Sequence, residues 1–84
     1  MKFTVVWKPE AERRLTEIWL EASDRESVRV ANDALETVLT QSPDLVGESR
    51  GAGRRILLIE PLGIDDRVDL DDRMVRVLTI WKTN

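Results

Sequence analysis

The sequence predicts a small α+β domain of order β-α-α-β-β-β, in which a helical hairpin packs on a mostly antiparallel sheet. Three observations carry this reading. The N-terminal "KFTVVW" alternates like a strand, two amphipathic helical segments follow with no strand between them, and the second half holds three β-rich runs separated by turn signals.

In "KFTVVW", Phe3, Val5 and Trp7 share one face and β-branched residues fill the gaps. "KPE" then opens a helix: Pro9 suits its first turn, and Glu10 and Glu12 favour its positive end. Ala11, Leu15, Ile18, Trp19 and Ala22 recur at helical spacing. "ASDRES" breaks the pattern and offers Ser23 or Asp24 as the cap of a second helix, striped by Val28, Ala31, Leu35, Val38 and Leu39. "TQSPD" ends it, because Pro43 cannot continue a helix. "LVGESRGAGRR" reads as a glycine-bearing connector. "RILLIEP" is a continuous apolar run, "LGIDDRVDL" alternates, "DDR" turns, and "MVRVLTIW" is apolar on both faces. The last run is expected near the middle of the sheet, with "RILLI" as its companion or near neighbour. The expectation is one domain spanning residues 1–84.

Composition removes several chemistries. There is no cysteine, histidine or tyrosine, so thiolate zinc sites, disulfides, a Cys nucleophile and the usual neutral-pH general base are excluded. The net charge of −3 and pI near 4.9 argue against strong nonspecific nucleic-acid binding. The charge is uneven: residues 1–48 carry six Lys/Arg and ten Asp/Glu, whereas residues 49–84 carry seven and six. An anionic partner would meet the second half. No apolar run has the length of a membrane-spanning helix, the N-terminus resembles no targeting peptide, and a cytoplasmic protein without cofactor is expected.

Asp65, Asp66, Asp69, Asp71 and Asp72 crowd one hairpin. A calcium loop would need glycine at its sixth place and glutamate at its twelfth; counting from Asp65, these are Leu70 and Arg76. No metal site is expected. Alternation puts Asp65, Arg67 and Asp69 on a solvent face, opposite Ile64, Val68 and Leu70, and leaves Asp71 and Asp72 to the turn. Asp66 is left over, because it falls on the apolar face. Either a β-bulge or an edge strand exposes it, or it is a buried, functional carboxylate with Arg54, Arg55 or Arg76 as partner.

"SRGAGRR" sets Arg50, Arg54 and Arg55 around two glycines. Glycines let backbone N–H groups approach an anion, and guanidinium forks match phosphate. These three are the anion-binding candidates, against the reading of a flexible connector with surface arginines. No lysine and serine or threonine close a P-loop. Arg54, Arg55 and Arg76 are the candidates for any catalytic role. Trp7, Trp19 and Trp81 could stack on bases, but each lies on a core-like stripe; core packing is expected for at least two of them, with Trp81 partly exposed.

"FTVVWKPEAERRLTEIW", the helical hairpin, "SRGAGRRILLI" and "DLDDRMVRVLTIW" together resemble the RelE/ParE superfamily of bacterial type II toxins, a likeness that covers nearly the whole chain. The resemblance implies a cytosolic toxin, of the kind associated with plasmid stabilisation, neutralised by a cognate antitoxin that wraps its sheet and helices. RelE-like members cleave messenger RNA in the ribosomal A site; ParE-like members inhibit DNA gyrase without cleaving RNA. Arg50, Arg54 and Arg55 match the basic connector and first strand of RelE-type nucleases. Where those carry a catalytic arginine after "LG", this chain reads Asp65 and Asp66, and the C-terminal tyrosine or histidine has no counterpart. Three readings follow: a ParE-like or catalytically diverged toxin acting by protein binding, an arginine-based mRNA interferase, and a non-toxic scaffold of the same fold. A homodimer is compatible with each.

Overall fold

The computed structural model describes residues 2–84. The elements run β1 (Thr4–Trp7), α1 (Pro9–Glu21), α2 (Arg25–Gln41), β2 (Glu48–Gly51), β3 (Arg54–Ile59), β4 (Leu62–Asp69) and β5 (Met74–Lys82). The helix boundaries follow local chemistry. Pro9 opens α1 with Glu10 and Glu12 in its first turn. The Asp24 carboxylate accepts the Ser27 N–H at 3.1 Å and caps α2. Three residues separate the helices, so they double back on one another.

The sheet has the order β1-β5-β4-β3-β2. β1 pairs with β5 in parallel and every other neighbour is antiparallel. A parallel pair needs a long crossover, and here both helices and the β2–β4 meander supply it. β5 is flanked on both sides, which explains why its sequence is apolar on both faces. "RILLI" is one strand removed from it, with β4 between.

Paired residues on neighbouring strands share a face. The inner face carries Leu57, Leu62, Ile64, Val75, Val77 and Ile80, all buried. Onto it pack Ala11 and Ile18 of α1 and Val28, Ala31, Leu35 and Leu39 of α2, also buried. Leu35, Leu39, Leu62, Ile64, Val75 and Val77 expose no measurable surface, so the core is centred between the helix pair and the β4–β5 middle of the sheet.

Three expectations are corrected. The connector contains an additional edge strand, β2, which pairs with β3 through Glu48, Ser49 and Gly51. All four of its residues are exposed, so burial left no alternation in "ESRG" to mark it. Leu70 does not extend the apolar face of β4; the strand ends at Asp69, and Leu70 sits in the turn, 57% exposed. That turn is tied by the Asp72 N–H donating to Asp69 Oδ1 at 3.1 Å. Core packing of two tryptophans is not met either, because Trp19 sits at the surface; the partial exposure expected of Trp81 is found. Trp7 packs against the core and its indole donates to Glu36 at 2.9 Å. Trp19 is 37% exposed beneath the Arg25 guanidinium, and Trp81 is half-buried over Gly63.

Candidate functional site

The helices cover one face of the sheet and leave the other open. The open face is built from Val6 of β1, Arg76, Leu78 and Trp81 of β5, Asp65 and Arg67 of β4, and Arg54 and Leu58 of β3. Leu58 is 59% exposed.

Asp65 and Asp66 are placed on opposite faces. The register between β4 and β5 shifts there: Asp65 pairs with Thr79 but Asp66 pairs with Val77, which leaves Leu78 as the extra residue of a bulge. The bulge does not expose Asp66, which is 1% exposed among the core residues. Desolvation, reinforced by the neighbouring Asp65 charge and offset by Arg55, raises its pKa to about 6. Its Oδ1 has no hydrogen-bond partner. Asp65 was expected on the solvent face; its side chain is instead only 14% exposed, because the Arg54 guanidinium closes over it as an ion pair. That pair holds the Arg54 guanidinium more firmly protonated than usual. Asp69, Asp71 and Asp72 remain at the exposed end of the hairpin. No group of three acidic side chains among the described residues gathers as a metal site.

The arginines do not converge on one point. Arg50 pairs with Glu48 at 2.9 Å on β2. Arg54 leaves β3 toward the open face and meets Asp65. Arg55, the next residue, leaves toward the helix side, where its Nε donates to the Val46 carbonyl at 2.7 Å and its Nη2 to the Gly47 carbonyl at 3.1 Å. Arg54 and Arg55 both line an open groove of about 300 Å³ that Asp44 also borders. Arg76 shares the open face with Arg54 but lies two strands away, across Arg67, with Met74 Sδ as its contact at 3.8 Å.

A second cationic cluster was not singled out by the sequence. Arg67 and Arg76 are direct cross-strand partners, both exposed. They border a groove of about 450 Å³ with Lys8, Trp7, Val6 and Leu78. Like charges placed opposite one another are unfavourable on a sheet, so this part of the open face favours an anionic or hydrogen-bond-accepting partner. Arg67 and Arg76 are nine residues apart in the chain. The signal that could have joined them is the hairpin register, which places 67 against 76 once the turn at 70–73 is known.

No family model matches the chain, and no curated protein does. Solved structures match it over nearly its full length. The toxin–antitoxin complex RelBE2 from Mycobacterium tuberculosis contains a chain that superposes with a TM-score of 0.77 at 18% identity, covering 98% of this chain and 99% of that one. A chain of the chromosomal ParDE system from P. aeruginosa gives 0.68 at 24% identity, covering 99% and 98%. A mutant of the E. coli toxin RelE in the free state gives 0.75 at 15% identity, covering 100% and 86%. The likeness extends over the N-terminal strand, the two helices and the mostly antiparallel sheet, since it covers nearly the whole chain. The chain therefore has the fold of the RelE/ParE toxins.

Proposed function

We propose that this chain is the toxin-like component of a type II toxin–antitoxin module and acts by binding protein, in the manner of a ParE-like or catalytically diverged toxin. The fold likeness to RelE and ParE structures, end to end in both chains, supports the toxin-like assignment. The observation that carries the protein-binding mode is the open sheet face. It presents Val6, Leu58, Leu78 and Trp81 together with Lys8, Arg67 and Arg76, while Arg54 on the same face is already neutralised by Asp65. Apolar area with a cationic rim, on a surface that no element of the chain covers, is what a protein partner needs. The cognate antitoxin is the first such partner and DNA gyrase the target class. A single domain acting in the cytoplasm completes the reading.

A second reading, an mRNA interferase acting at the ribosome, is favoured by one observation: the paired Arg67 and Arg76 with Lys8 at the groove between them. Those cations could grip a phosphate. Proton transfer would then fall to a chain without histidine or tyrosine, and the anion-binding candidates read from sequence, Arg50, Arg54 and Arg55, are engaged with Glu48, Asp65 and backbone carbonyls. This weighs toward protein binding.

The test is expression from a tight inducible promoter in a bacterial host, following growth and total mRNA integrity over the first minutes. Growth arrest with intact mRNA supports protein binding. Arrest with cleaved mRNA that Arg76→Ala abolishes establishes the second reading. Soluble protein with no arrest, here and in a host carrying a related module, leaves a non-toxic scaffold.

A further inference from the structure

Asp66 has no part in the reading above. Its carboxylate is 1% exposed, and Oδ1 has no hydrogen-bond partner. Its partner across β3 is Arg55, whose Cβ such pairing places about 5 Å away. The Arg55 guanidinium is nonetheless turned from the carboxylate toward the turn that feeds β2, holding the Val46 and Gly47 carbonyls. Gly47 has φ 76 and lies so close to the Ile56 carbonyl that a Cβ would overlap it. The turn that enters the edge strand is thus held by one side chain and one tight glycine, ahead of the backbone ladder that pairs β2 with β3.

The surroundings of Asp66 leave it few alternatives. β5 presents Val77 opposite it. The residues that α1 and α2 bury are Ala11, Ile18, Val28, Ala31, Leu35 and Leu39, none of them charged. Asp65 points to the other face and is held by Arg54. The charges that Asp66 feels are Asp65, which opposes its ionisation, and Arg55, which favours it. A carboxylate that ionises inside a core must find a partner, and Arg55 is the cation in reach.

We infer that ionisation of Asp66 draws the Arg55 guanidinium off the Val46 and Gly47 carbonyls and onto Asp66 Oδ1, so that the pair forms a pH-operated latch on the β2 edge strand. The latch is shut when Asp66 is protonated. It opens as the pH rises through about 6, where burial places this carboxyl. The chain has no histidine, the side chain that usually performs such switching. The strand that follows the released turn carries Arg50 and one exposed edge of the sheet, so the latch governs a surface as well as a core. This inference is independent of the proposed function.

The experiment is NMR on the labelled full chain from pH 5.0 to 8.0. It follows the Asp66 carboxyl carbon, the Arg55 Nε–H, and exchange of the β2 amides corrected for the intrinsic pH dependence of exchange. Expected is a common midpoint near 6 for all three, with β2 amides exchanging about tenfold faster above it, the size of one charge-assisted hydrogen bond lost. Asp66→Asn should abolish the transition. Unchanged or increased β2 protection in the wild type above the Asp66 midpoint overturns the latch, as does the same transition in Asp66→Asn. If Asp66→Asn does not fold, the wild-type midpoints decide: coincidence supports the latch and separation overturns it. Arg55→Met, which keeps the aliphatic stem but has no donor for the two carbonyls, should show the fast β2 exchange at every pH.

Discussion

Asp66 and Gly63 show how single residues are decided by what stands across the sheet from them. Asp66 ionises in the native state only near pH 6, against about 3.9 in an unfolded chain. Its protonated form therefore supports folding. That contribution is fully present below about pH 4 and is lost as the pH rises through 6, leaving the neutral-pH protein weaker by about 3 kcal/mol. Urea denaturation of the wild type should show stability falling from pH 5 to 7.5, and Asp66→Asn should remove most of that slope. An equal slope in the variant would assign it to another group. The lowered carboxyls of Asp24 and Glu26 act in the opposite sense and only in stronger acid, outside this window. At Gly63 a Cβ would come within 2.6 Å of the Trp81 indole and 2.8 Å of Leu58 Cδ2. Gly63→Ala should cost about 1–3 kcal/mol and shift the tryptophan emission, since Trp81 must lift off the strand. A variant with unchanged emission and stability would show that the indole does not lie there. The sequence marked Asp66 as out of place on its face, but not whether it was buried, because that depends on the helices above it.

Among the elements, the β4–β5 hairpin carries most of the candidate site. Its bulge lets Leu78 join Val6 at the open face while Val77 and Ile80 stay in the core. The same pairing sets Arg67 against Arg76. Removing one of two opposed like charges should help the fold: Arg76→Thr is expected to raise stability by about 0.2–1 kcal/mol while weakening whatever the open face binds, a common exchange at functional surfaces. Loss of stability in Arg76→Thr, measured by denaturant midpoint, would mean that the arginine packs rather than repels. β1, both helices and β4 were legible because each buries one face and so writes its period into the sequence, and β3 and β5 because continuous apolar runs of strand length mark them. β2 was not, since all four of its residues are exposed and its pairing is made by backbone alone.

For the whole molecule, the asymmetry between the two faces of the sheet is the functional statement. The helices cap one face; the other keeps apolar side chains and unshared cations at the surface. Leu58→Glu should leave the fold nearly unchanged, within about 0.5 kcal/mol for an exposed position, yet abolish growth arrest and any capture of a partner by this face. Full toxicity in a stably folded Leu58→Glu protein would move the binding surface elsewhere.

The order of elements, the apolar stripes, the lack of imidazole, thiol and phenol chemistry, and the crowding of arginines and aspartates could all be read along the chain, because local period and composition are properties of neighbours in sequence. Which charges meet could not. Arg54 closes over Asp65, Arg55 holds two carbonyls, Arg67 faces Arg76, and Asp66 goes into the core. Each of those outcomes depends on strand register and on which face the helices cover. Both are set by pairings between distant segments, where a shift of one residue exchanges the buried and exposed sides.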